Sequence, residues 1–138
     1  IMIKAMYKII GELESLGDSG ESISRILSRK NIHHKAFDAD TIKKLNAMVD
    51  LVENTYDVMI ANLKDAFDGK LGEISNAYDA EDRINNLRNN LRDEEIESIE
   101  SERKNYQTSV YYMDLVGELE KKGDFMINVS QDLEKAYK

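Results

Sequence analysis

Apolar residues return along this chain at intervals of three, four and seven, the spacing that gathers them on one face of an α-helix. Met2, Met6, Ile9, Leu13, Leu16, Ile23 and Leu27 mark a first helix over residues 2–30. Ser28-Arg29-Lys30-Asn31 then sets cations and an asparagine where a helix C-terminus favours them. A second start is written in Phe37-Asp38-Ala39-Asp40, with Asp38 placed to accept from first-turn amides. That helix carries Leu45, Met48, Val52, Tyr56, Met59, Leu63 and Phe67, and stops at the turn signal Asp68-Gly69-Lys70. A third is expected from Leu71, with Ile74, Ala77, Tyr78, Ile84, Leu87 and Leu91 in register. No strong breaker lies between Glu97 and Gln107. A turn at 101–105 is expected because the next helix must fold back, and a continuous helix is the competing reading. Val110, Met113, Val116, Leu119, Met126, Ile127 and Leu133 define the fourth. Strand-like alternation is absent. The expected fold class is all-α: an up-down antiparallel bundle of four helices, each roughly 30 residues and roughly 45 Å long.

Composition narrows the field. The 138 residues are 41% hydrophobic and 33% charged, which suits one domain with a real core rather than a disordered chain. Proline is absent, so long helices joined by short turns are the natural expectation. Cysteine is absent too, which excludes disulfides and thiolate metal ligands. A net charge of −8 argues against nucleic acid and against broad docking on anionic lipid. No apolar run approaches the ~18 residues that cross a bilayer, so no direct membrane insertion is expected of this segment. No signal peptide is expected from this stretch, and Ile1-Met2-Ile3-Lys4 is already in helical rhythm without a cap. The segment therefore reads as a piece of something longer.

No catalytic set is visible. The chain has no Cys nucleophile, no Ser-His-Asp neighbourhood and no glycine-rich phosphate loop, and the E-x-x-H pairs of di-iron bundles are missing. An enzyme is not expected. His33 and His34 are adjacent, so they point apart and read as a solvated loop rather than a chelate. Tyr106, Tyr111 and Tyr112 read as packing residues with rim hydroxyls, a partner surface being the alternative.

A phrase is written twice. Gly11-Glu12-Leu13-Glu14-Ser15-Leu16-Gly17-Asp18 returns as Gly117-Glu118-Leu119-Glu120-Lys121-Lys122-Gly123-Asp124, and residues 8–24 and 114–130 agree at 7 of 17 positions without a gap. The two ends read as one duplicated helical unit. At about 100° per residue, with Val116 at zero, Glu120 falls inside the apolar arc and Asp124 on its edge. Asp114 and Glu118 fall on the far side, facing water. The repeat gives Glu14 and Asp18 the same placement as Glu120 and Asp124. A bare carboxylate beside a core needs a partner. Two helices contributing paired carboxylates can build a metal site; a solvated or salt-bridged face is the blander reading. Gly17 and Gly123 take the same inward point of the wheel. A mid-helix glycine costs about 1 kcal/mol against alanine, so the close approach of another backbone is expected there.

These residues carry a resemblance. Leu119-Glu120-Lys121-Lys122-Gly123-Asp124, with Asn128 one turn on, resembles the Leu-Glu-Arg-Ile-Gly-Asp-x-x-x-Asn signature of PhoU domains. Those are tandem three-helix repeats with an E-x-x-x-D motif on each last helix. Glu81-Asp82-Arg83-Ile84-Asn85-Asn86-Leu87-Arg88 is similar to the middle helix of that repeat. The signature arginine is Ser15 in the first copy and Lys121 in the second, and Ser22 stands in the first copy where Asn128 stands in the second.

The resemblance implies that residues 37–138 form one complete repeat and residues 1–31 the last helix of a preceding one. It implies a regulatory or scaffolding domain of phosphate transport, like the cytoplasmic tail of bacterial sodium/phosphate cotransporters. Such a domain sits at the cytoplasmic face, tethered to the inner membrane through its parent protein. Its partner would be the membrane portion of the transporter or a transport-system protein. Some members bind iron or zinc clusters through E-x-x-x-D, which makes Glu14, Asp18, Glu120 and Asp124 the metal-ligand candidates. Gly17, Gly123 and Asn128 are then the motif and packing positions. The alternatives are a carboxylate-lined metal-binding bundle and a non-catalytic domain that homodimerises through its first helix.

Overall fold

A computed structural model describes residues 2–33, 35–101 and 105–137. They form four helices: α1 (Met2–Ile32), α2 (Ala39–Phe67), α3 (Ser75–Glu100) and α4 (Tyr106–Tyr137). No strand occurs among the described residues.

The helix ends follow local chemistry. Asp38 Oδ1 accepts the Thr41 N–H at 2.8 Å, so α2 starts where its cap predicts. Beyond Phe67 the chain turns through Gly69 at φ 71°, a left-handed conformation that suits glycine. The Lys70 N–H reaches back to the Asp65 carbonyl at 2.7 Å. The third helix starts later than its apolar register implied, at Ser75 rather than Leu71. Leu71 and Ile74 are apolar because they plug a second core cluster with Ala77, Ala80 and Ile127, not because they lie on a helix face. The separation of α3 from α4 holds. Asn105 Oδ1 accepts the Thr108 N–H at 3.2 Å and caps α4. The remainder of the expected turn, 102–104, lies outside the described residues.

Cross-helix pairs fix the directions. Lys44 meets Glu94 near one end of α2 and Asn62 meets Asn76 near the other, so α2 and α3 are antiparallel. Ser109 with Glu95 and Glu120 with Arg88 set α4 against α3. Asn62 donates to Ser130 at 3.0 Å, with Phe37 edge-on to Tyr112 at the opposite end, so α2 and α4 run parallel. Asn128 with Glu12 and Ser19 with Glu118 make α1 antiparallel to α4. The up-down bundle is therefore as expected.

Its helices do not share equally. α2, α3 and α4 pack mutually around Met48, Met59, Ile84, Tyr112, Val116 and Val129, while α1 packs on α4 alone. Ile9, Leu16, Ile23 and the buried Ser19 form the side of α1 turned to α4. None of the described helices is long and apolar enough to cross a membrane.

Candidate functional site

Because α4 touches all three other helices, different sides of its motif meet different neighbours. Glu120 falls beside the core, as the wheel requires, and pairs with the Arg88 guanidinium of α3. Its side chain is only 16% exposed, so the cation supplies the partner a desolvated carboxylate needs. One turn on, Asp124 is exposed. Desolvation, with the negative charges of Glu120 and Glu81, pushes its carboxyl above the usual value of 3.8 against the opposing pull of Arg88.

Gly123, between the two acids, is buried. A Cβ at that position would lie 2.6 Å from Ile84 Cδ1. The close approach expected there is thus made by a side chain of α3, not by another backbone. Asn128 Nδ2 donates to Glu12 Oε2 at 3.3 Å, tying the signature asparagine to the first copy of the motif. Glu118 does not face water alone, as its wheel position implied. Its carboxylate accepts from Ser19 Oγ at 3.4 Å and Lys121 Nζ at 3.3 Å, because α1 covers that side of α4.

The first copy is placed differently. Glu14, Gly17 and Asp18 are all exposed, and a Cβ at Gly17 would meet nothing within 4 Å. The expectation that Glu14 and Asp18 share the core-side placement of Glu120 and Asp124 is corrected by the single-sided packing of α1. The two copies nevertheless lie side by side at one level of the α1–α4 pair. With Glu12 opposite Asn128, antiparallel pairing sets Gly17 and Gly123 at one level.

The four candidate ligands do not converge. Among the described residues no three His, Cys, Asp or Glu side chains lie close enough to hold a metal ion. Glu120 is committed to Arg88, and Glu14 and Asp18 lie on the open side of α1. Within one chain the set does not fit iron or zinc. His33 stacks on Tyr111 with ring centroids 6.4 Å apart, and His34 lies outside the described residues. Tyr112 departs from its expected rim position: it is wholly buried, and burial pushes its hydroxyl up to about 12. Tyr111 is buried, whereas Tyr106 is exposed.

Arg88, Ile84, Glu81, Glu12 and Ser19 complete the site; sequence reasoning placed Ile84 in the apolar register of α3 and Glu81, Arg88 and Glu12 within motif stretches, but named none of the five as a partner of the E-x-x-x-D residues. The signal for Arg88 was present. A carboxylate inside an apolar arc calls for a cation on the facing helix, and Arg88 stands between Leu87 and Leu91 on the apolar side of α3. No family model, curated protein or solved structure matches the chain.

Proposed function

We propose that this chain is a PhoU-like regulatory and interaction domain of phosphate transport, working as the cytoplasmic domain of a sodium-dependent phosphate cotransporter. The observation that carries the reading is the position of the repeated motif. One copy lies at the crossing of α3 and α4 inside a three-helix unit, and the other lies on a lone helix docked against that unit. That is the organisation implied by tandem three-helix repeats with E-x-x-x-D on each last helix.

On this reading the domain does no chemistry. Its working part is the joint where Ile84 seats on Gly123 and Arg88 clamps Glu120. A shift of α3 against α4 would be passed to the membrane portion of the transporter, or to another protein of the transport system, at the cytoplasmic face. A homodimer through α1 is the competing non-catalytic role, and solution mass separates the two.

Sodium-dependent uptake of radiolabelled phosphate tests the proposal in cells whose own gene carries Gly123→Leu. In wild-type cells uptake is expected to fall when external phosphate is abundant, and in the variant that fall is expected to disappear. An identical response in both strains, with the variant domain folded by circular dichroism, would remove the proposal.

A further inference from the structure

α1 and α4 touch along one seam, and toward the C-terminal end of α1 that seam opens into a cavity of about 460 Å³. Small-molecule sites commonly enclose roughly 300–1,000 Å³. At about 100° per residue, Ser22, Arg25 and Arg29 share the flank of α1 turned away from Met6, Leu13 and Gly17, so the cavity is separate from the apolar stripe. Half-buried Ile26 and Met113 line its apolar part. Gly117 keeps it open on the α4 side. A mid-helix glycine is costly relative to alanine, yet no atom stands within 4 Å of a Cβ built at Gly117. Packing does not require glycine there; what glycine preserves is open space in the cavity wall.

The charges of the cavity are unevenly matched. Exposed Arg25 and Arg29 stand one turn apart on the α1 wall, and like charges at that spacing destabilise a helix. Among the described residues no carboxylate comes within 4 Å of either guanidinium, although the chain has 27 Asp and Glu. Arg25 Nη2 donates to Ser22 Oγ at 3.3 Å. The dipole of α1 accounts for a cation at Arg29, in the last turn, but has faded by Arg25. On the facing wall Glu118 is engaged by Ser19 and Lys121. That leaves Asp114, of the described residues lining the cavity, as the carboxylate without a partner. Two guanidinium forks match the oxygens of a phosphate. A carboxylate only accepts, so Asp114 repels an anion and suits a hydroxyl.

We infer that this cavity binds a small phosphate monoester with a hydroxylated body, a sugar phosphate or a nucleotide. Its phosphate seats on Arg25 and Arg29, a hydroxyl donates to Asp114, and the rest of the body lies along Ile26 and Met113. Such a ligand bridges α1 and α4, the joint that fixes α1 to the bundle. Nothing in the site depends on a role in phosphate transport.

Isothermal titration calorimetry of the whole chain at low salt tests the site with ribose phosphate, adenosine monophosphate and inorganic phosphate. Saturable binding of an ester is expected, weakened at least about tenfold by Arg25→Gln combined with Arg29→Gln. Binding of the adenosine ester alone makes the ligand a nucleotide; equal affinity for both makes the sugar phosphate sufficient, and either result supports the site. Asp114→Ala is expected to weaken the ester and to strengthen inorganic phosphate, because it removes an acceptor and a negative charge together. Gly117→Leu touches neither arginine and is expected to abolish binding by filling the cavity, with the circular dichroism unchanged. Bound ester is also expected to slow amide exchange in α1 around Arg25 and Arg29.

No saturable heat from either ester overturns the inference. So does ester binding indifferent to the arginine pair or to Gly117→Leu, and so does inorganic phosphate that binds as tightly as the esters. Should the arginine variant fail to fold, Gly117→Leu and Asp114→Ala carry the same decision.

Discussion

Gly17 and Gly123 occupy matching positions in a repeated phrase, yet they should answer to substitution in opposite ways. Each forgoes about 1 kcal/mol of helix propensity relative to alanine. At Gly17 nothing stands within 4 Å of an added Cβ, so Gly17→Ala is expected to stabilise the chain by about 0.5–1 kcal/mol, read as a higher urea midpoint. At Gly123 the end of Ile84 already fills the space, and Gly123→Leu should destabilise by about 1–3 kcal/mol through overpacking. Equal effects at the two sites would show that the copies are packed alike. Asp124 supplies a pH test. Its folded value is raised above 3.8, so its ionised form is disfavoured in the fold, chiefly by desolvation and then by Glu120 and Glu81. Asp124→Asn should therefore stabilise at pH 7, and the gain should shrink as pH falls through the raised value. Below about pH 3.8 both states hold the proton and the gain should vanish. Urea midpoints at neutral and acid pH check this; an Asn variant no more stable than the parent at pH 7 refutes it.

At the scale of the helix, the sequence was most readable where apolar period and cap agreed. Asp38 opens α2 and Gly69 closes it because each does a job that few residues can do. The start of α3 was harder, since Leu71 and Ile74 keep a helical period while serving as a plug beneath a non-helical segment. Spacing records that a residue is buried, not by which backbone. The Asn105 cap was open to the same reasoning as Asp38 but followed no glycine or proline that would draw attention to it. The faces of α1 were the larger difficulty. Ile9, Leu16 and Ile23 make one apolar side, and Met6, Ile10 and Leu13 make another. A wheel shows both and cannot say which one a neighbour takes. That ambiguity displaced Glu14 and Asp18 from their expected place and hid the role of Glu12. A dynamic consequence belongs to this scale. With one packed side only, α1 should exchange its amides faster than α2, α3 and α4 under native conditions. Hydrogen exchange followed by mass spectrometry would show this, and protection in α1 equal to that of α4 would contradict it.

For the molecule as a whole, the bundle was legible from periodicity, whereas the electrostatic role of its motif depended on which helices meet. Two E-x-x-x-D phrases on two helices suggest a four-carboxylate cage, but a cage needs both pairs turned to a common centre. Here α1 and α4 cross with Glu12 and Glu118 at the seam, and the Glu-Asp pairs are directed elsewhere. Glu120 would have to surrender Arg88 to bind an ion, and its Asp124 neighbour already bears the repulsion of Glu120 and Glu81. Protein purified without chelator should therefore carry well under one iron or zinc per chain, and dialysis against EDTA should leave its Tm unchanged. The comparison has ample range. A resident ion at a hundred times its Kd would add about 2.7 kcal/mol, on the order of 10 °C for a domain of this size. A chelator-sensitive Tm, together with stoichiometric metal lost in Glu120→Gln, would mean that the carboxylates converge in an arrangement other than this one. A chelator-insensitive Tm would leave Glu120 as the anion of a helix clamp, and Arg88→Ala would then weaken the fold by about 1–2 kcal/mol by leaving that anion unpaired.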